Sequence, residues 1–184
     1  RFRAHVRQAI SRNALVIGNP SVAGFGAAFP MPVVAASGVA GAAVVAAALP
    51  ASDPPPLPGA QAEAQATAAV LASMGYAVSS VIGVDEPAAR VLSTLYQQPW
   101  RILHISAHGV FGLRHADGRL RSGVLLSDGL LITAAEIAAM EIVPDLVFLN
   151  CCHLGQIDGG RSGNKLAASV ARELIEIGVR CVVV

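Results

Sequence analysis

A thiol becomes a strong nucleophile only as a thiolate, and an imidazole within hydrogen-bond reach supplies both the base that deprotonates it and a cation that holds the anion. Both groups stand at the ends of short apolar runs in this chain. Asp145-Leu-Val-Phe-Leu-Asn-Cys-Cys-His-Leu-Gly155 stops in two cysteines, a histidine and a glycine, and Arg101-Ile-Leu-His-Ile-Ser-Ala-His-Gly109 stops in a histidine and a glycine. If the two runs are neighbouring strands, His108 and a cysteine at position 152 meet at one sheet edge. That is the geometry a cysteine/histidine pair needs.

Two other readings compete. Cys151 and Cys152 can be small apolar residues at a strand end, with His104 and His108 as satisfied internal histidines. Cys151, Cys152, His153 and His108 can also be soft metal ligands. Adjacent cysteines seldom reach one zinc, however, and the usual two-residue spacer is missing, so no metal is expected. His104 stands four positions before His108, shares its face in a strand, and is read as packing. No chemistry is assigned to His5 or His115.

The elements that must position these groups follow from pattern. Continuous apolar runs at Asn13 to Gly18, Ile102 to Ala107 and Leu146 to Leu149 suit strands buried on both faces of a parallel sheet, and β-branched Tyr76 to Ile82 and Val179 to Val184 add two more. Between them lie helical patterns. One runs from Ala60 to Met74, closed by Gly75; a second is capped by Asp85 and carries Ala88, Val91, Leu92, Leu95 and Tyr96 on one face; a third starts at Asn164 and buries Leu166, Val170, Leu174 and Ile177. Strand, helix, strand order predicts an α/β fold with crossover helices. Asp117-Gly118 and Asp128-Gly129 predict turns, with Gly123 to Ser127 as a hairpin arm that could wall a cleft, and Thr133-Ala-Ala-Glu136 predicts a capping box.

Composition narrows the partners. The formal net charge is +1, and the basic residues form no stripe, so neither nucleic acid nor anionic lipid is expected. Three cysteines, two of them adjacent, make a poor disulfide framework and favour a reducing compartment. Val33 to Leu49 is long enough to raise the transmembrane question, but Ala and Gly dominate it and drive insertion weakly, so residues 21–58 are read as a low-complexity insertion. The chain is read as a single domain over residues 1–184 and as a fragment, because Arg180-Cys-Val-Val-Val184 ends like a strand cut before its turn.

Three linked segments resemble the CHAT domain, a caspase-like family. They are Leu103-His-Ile-Ser-Ala-His-Gly109, then Gly123-Val-Leu-Leu-Ser-Asp-Gly129 with Leu131-Ile-Thr-Ala-Ala-Glu-Ile137, then Leu146 to Gly155, in the family's order and spacing. The resemblance reaches back to Leu57-Pro-Gly-Ala-Gln-Ala-Glu63 and covers most of the chain from there. It implies a caspase-like three-layer sandwich, with a mostly parallel central sheet and helices on both faces, and a cysteine endopeptidase that needs no cofactor. His108 matches the family's catalytic histidine and Cys152 its nucleophile, with the backbone amides of Gly109 and Cys152 as the oxyanion hole. Metacaspase-like motifs carry an acid two residues before the nucleophile; this chain has Asn150 there, with Asp158 as a carboxylate that could substitute. The implied setting is the effector end of a bacterial, cytoplasmic signalling protein, with a peptide or protein substrate and a sensor or helical-repeat module in the same or a partner chain. The rival expectations are a scaffold domain whose cleft never assembles and another hydrolase or transferase using the same pair.

Overall fold

The computed structural model describes residues 11–30, 52–154 and 170–184. Within them the strands are β1 (Asn13–Gly18), β2 (Ala77–Ile82), β3 (Ile102–Arg114), β4 (Leu120–Leu125), β5 (Leu131–Ile132), β6 (Leu146–Leu154) and β7 (Cys181–Val183). The helices are α1 (Phe25–Ala28), α2 (Pro58–Ser73), α3 (Ala88–Leu95) and α4 (Ala134–Ala138), and residues 170–176 are also helical.

One sheet takes in all seven of these strands. β1 pairs in parallel with β2 on one edge and with β3 on the other, and β6 joins β3 and β7 in parallel. The hairpin β4 and β5 is antiparallel. The fold is therefore α/β with a mostly parallel sheet. Alternation along the strands divides the interior into two layers. Leu103, Ile105, Ala107, Val147 and Leu149 pack with Val91 and Leu95 of α3, Ile137 of α4 and Leu174 on one face, while Ala14 and Val16 pack with Ala64 and Leu71 of α2 on the other. Helices on both faces complete the three-layer sandwich.

α2 starts with Pro58 at its first turn, where the missing N–H costs nothing, and runs on alanine until Gly75 turns left-handed at φ 79°. It lies very close to β1, because a side chain on Gly18 would collide with the Ala64 methyl. Two expectations are corrected here. Asp85 does not cap α3; the Ala88 amide is taken instead by the buried Ser127 hydroxyl, at 2.9 Å. β3 does not stop at Ala107 but continues to Arg114, since β4 offers it a fresh partner beyond the end of β1. The capping box forms as expected, with Glu136 accepting from the Thr133 amide at 2.7 Å. The start of the last helix at Asn164 and residues 31–51 of the Ala/Gly-rich segment lie outside the described residues. Among the described residues no helix is long and apolar enough to cross a membrane.

Candidate active site

β3 carries different neighbours on one edge at different heights. β1 accompanies it as far as Ser106, opposite Gly18, and β4 takes over at Gly109, opposite Val124; β6 runs along the other edge throughout. Ala107 and His108 fall in the gap between β1 and β4. This is also where the chain order reverses, because β1 has β2 on one side and β3 on the other. Ligands of open α/β sheets bind in such crevices, beyond the carboxyl ends of the strands.

The register of β3 and β6 sets His108 opposite Cys152 and Ala107 opposite Cys151. Cys151 packs against the core that holds Ala107 and Leu149, on the α3 side of the sheet. Successive strand residues alternate faces, so His108, one position beyond Ala107, belongs to the α2 side. Described side chains of β6 end at Cys151, and Asp158 lies outside the described residues. Gly109 is flanked on both edges, by Val124 and His153.

His108 is only 5% exposed, and its Nε2 lies 2.8 Å from the carbonyl oxygen of Pro55. A carbonyl can only accept, so Nε2 carries the proton and Nδ1 is the nitrogen with the lone pair. Among the described residues Nδ1 is buried without a hydrogen-bond partner. The segment that holds Nε2 is fixed at both ends. Asp53 accepts from the amides of Gly24 and Gly26, each at 3.1 Å, and the Leu57 amide donates to the Asn19 side chain at 2.9 Å. Asn19 is buried and sits at φ 49°, a left-handed conformation that asparagine tolerates better than most residues. Its own amide donates to the Ser106 carbonyl at 2.9 Å, which ties the segment to β3.

One residue that sequence reasoning assigned no role stands beside this pair. Glu63 of α2 accepts from Asn150 Nδ2 at 2.5 Å and from Ser106 Oγ at 3.4 Å, both through Oε2. Its Oε1 lies 3.4 Å from His104 Nε2 without the geometry of a hydrogen bond. Asn150 is therefore already partnered. His104 packs as expected, stacked on Phe148 at 4.8 Å between ring centres.

Burial holds the His104 imidazole below its ordinary range, while the Glu63 carboxylate pulls it upward and loses. The unfolded chain then binds a proton that the folded chain refuses, so this residue makes stability rise with pH across that window. Unfolding free energy from urea titrations is expected to fall as pH drops below about 6.5, where an ordinary histidine protonates. The slope between about pH 7 and the pH at which folded His104 itself protonates should be shallower in His104→Leu; an unchanged slope would assign the effect elsewhere.

A model of the CHAT domain family matches residues 1–184. No curated protein matches the chain. Among solved structures, the crystal structure of protein GSU0716 from Geobacter sulfurreducens is similar, at 18% identity and a TM-score of 0.48, over 90% of this chain and 61% of that one. This chain thus spans less than two thirds of that protein's length.

Proposed function

The chain belongs to the CHAT domain family, a caspase-like family, and from that premise we propose that it is a cysteine endopeptidase in which His108 and Cys152 form the catalytic pair. The observation that carries the proposal is the register of His108 on Cys152, together with a tautomer that turns the basic nitrogen away from Pro55. A buried nitrogen left without a donor costs about 1–3 kcal/mol, and a thiol at position 152 is the donor that removes this cost.

In the proposed reaction the Cys152 thiol gives its proton to His108 Nδ1, and the Pro55 carbonyl stabilises the imidazolium through Nε2–H. The thiolate attacks the scissile carbonyl carbon and the carbonyl π electrons move to oxygen. Candidate donors for that oxyanion are the amides of Cys152 and Gly109, the latter once the ladder around it opens. When the tetrahedral species collapses, the C–N bond breaks and Nδ1–H protonates the leaving amine. Water, deprotonated by the same nitrogen, hydrolyses the thioester and restores the thiol. Asn150, and Asp158 with it, stand as the proposed contacts to the substrate side chain. A sensor or helical-repeat module as the regulator, and a bacterial cytoplasmic setting, are proposed from the family resemblance.

The test is alkylation by iodoacetamide read by peptide mass mapping, with cleavage of a fluorogenic peptide library alongside. Cys152 is expected to react faster than the exposed Cys181 and faster than Cys151, and the library is expected to be cleaved by the wild type but not by Cys152→Ala. Equal reaction of all three thiols, with no cleavage by either protein, would point to a silent scaffold.

A further inference from the structure

We infer that Glu63 sets substrate preference, its carboxylate receiving the positive side chain of a lysine or arginine at the cleaved position of the peptide. The inference rests on the peptidase reading above and adds to it a residue and a substrate class. Its starting point is the juxtaposition of Glu63 with Ser106, Asn150 and His104 on the α2 side of the sheet.

Ser106 and Asn150 are register partners, and each lies two residues before a member of the proposed pair. Two residues along a strand span about 6.6 Å. A lysine or arginine side chain covers that distance, and a short side chain does not. The Glu63 side chain keeps 33% of its surface open, so it is not sealed from an incoming group.

The charge around it is unbalanced. β3 contributes His104 and His108, β6 contributes the neutral Asn150 and Phe148, and β1 contributes apolar Val16. Among the described residues no lysine or arginine pairs with Glu63. The histidine beside it, His104, is 4% exposed, is disfavoured as a cation by burial, and has an Nε2 that faces Oε1 without bonding to it. Asn150 and Ser106 both donate to Oε2, which orients the carboxylate and leaves Oε1 without a hydrogen-bond donor among the described residues. A carboxylate held by neutral donors repels acidic side chains and favours a cation, because hydrogen bonds between charged partners are stronger than neutral ones. The neutral residue two positions before Cys152 thus works as the clamp, and the charge comes from helix α2.

The experiment compares two fluorogenic peptides that differ only in the residue before the cut, arginine in one and its uncharged isostere citrulline in the other. The wild type is expected to favour arginine by about tenfold to a hundredfold in kcat/KM. In Glu63→Gln, whose amide oxygen can still accept from Asn150, that ratio should collapse toward one. A wild-type ratio near one, or a ratio that survives Glu63→Gln, overturns the inference and leaves the peptidase reading standing. If the wild type cleaves neither peptide, the peptidase reading fails and binding decides. Fluorescence polarisation with labelled forms of the same peptides must then show an arginine preference that disappears in Glu63→Gln; equal binding overturns the carboxylate's role.

Discussion

Turnover of a peptide substrate is expected to fall by about 10²–10⁴-fold in His108→Ala, the range over which a positioned acid/base contributes to a proton-transfer step. The substitution removes both functions assigned to one ring: Nδ1 no longer accepts the thiol proton, and no imidazolium remains to protonate the leaving amine. It also releases the Pro55 carbonyl from its 2.8 Å contact with Nε2. A merely structural histidine would lose only that contact, and pH separates the cases. Alkylation of Cys152 in His108→Ala should rise about tenfold per pH unit until an ordinary thiol ionises near pH 8.5, whereas the wild type should react rapidly well below that. Residues that act as a unit are also non-additive, so the double variant with Cys152→Ala should be no slower than the single cysteine variant. Activity within threefold of wild type in His108→Ala would end the assignment of this pair.

That both runs are strands ending in groups capable of chemistry was legible in the sequence, because each depends on local pattern; their pairing and its register came from the fold. Both are continuous apolar runs that end in a histidine or a cysteine, and strand, helix, strand order points to a parallel sheet that can set them side by side. Local signals elsewhere were equally readable. The Thr133 to Glu136 box closes within one helical turn, and Gly75 ends α2 where the alanine pattern stops.

What escaped were partners from distant segments. Ser127 reaches the α3 amide from 39 positions away, while Asp85 stood at the helix start with every local mark of a cap. Glu63 lies 87 positions from Asn150, so no spacing rule connects them. Gly109 and Gly112 look like breakers in one dimension, yet β3 passes through both because β4 pairs with it, and only Gly112, at φ 57°, uses a conformation that glycine favours. Phe25 and Phe29 were hidden in a stretch that reads as low-complexity, and they pack instead with Val110 and Leu125 over the far end of β3. The signal for them was present: two large aromatic residues among alanines and glycines have a strong reason to be covered.

The largest stability loss is expected at the opposite end of β3, in Trp100→Ala. Trp100 is fully buried and joins the main core just before the strand begins. Its indole N–H donates to the carbonyls of Leu95 and Thr94, at 3.0 and 3.2 Å, closing the last turn of α3. Truncation removes a large apolar side chain and leaves a cavity, at a cost of about 3–5 kcal/mol. Trp100→Phe keeps most of the ring but loses the donor to both carbonyls, so a smaller cost of about 1–3 kcal/mol is expected. Because this is the chain's one tryptophan, unfolding in urea must be followed by circular dichroism rather than by its fluorescence. The proposed active crevice lies at the other end of the strand, so the loss should appear in the denaturation midpoint while thiol reactivity per folded molecule is retained. A midpoint shift worth under about 1 kcal/mol, which is the scale of a surface change, would mean that the core closes around the missing indole and that the base of β3 is held by its ladder alone.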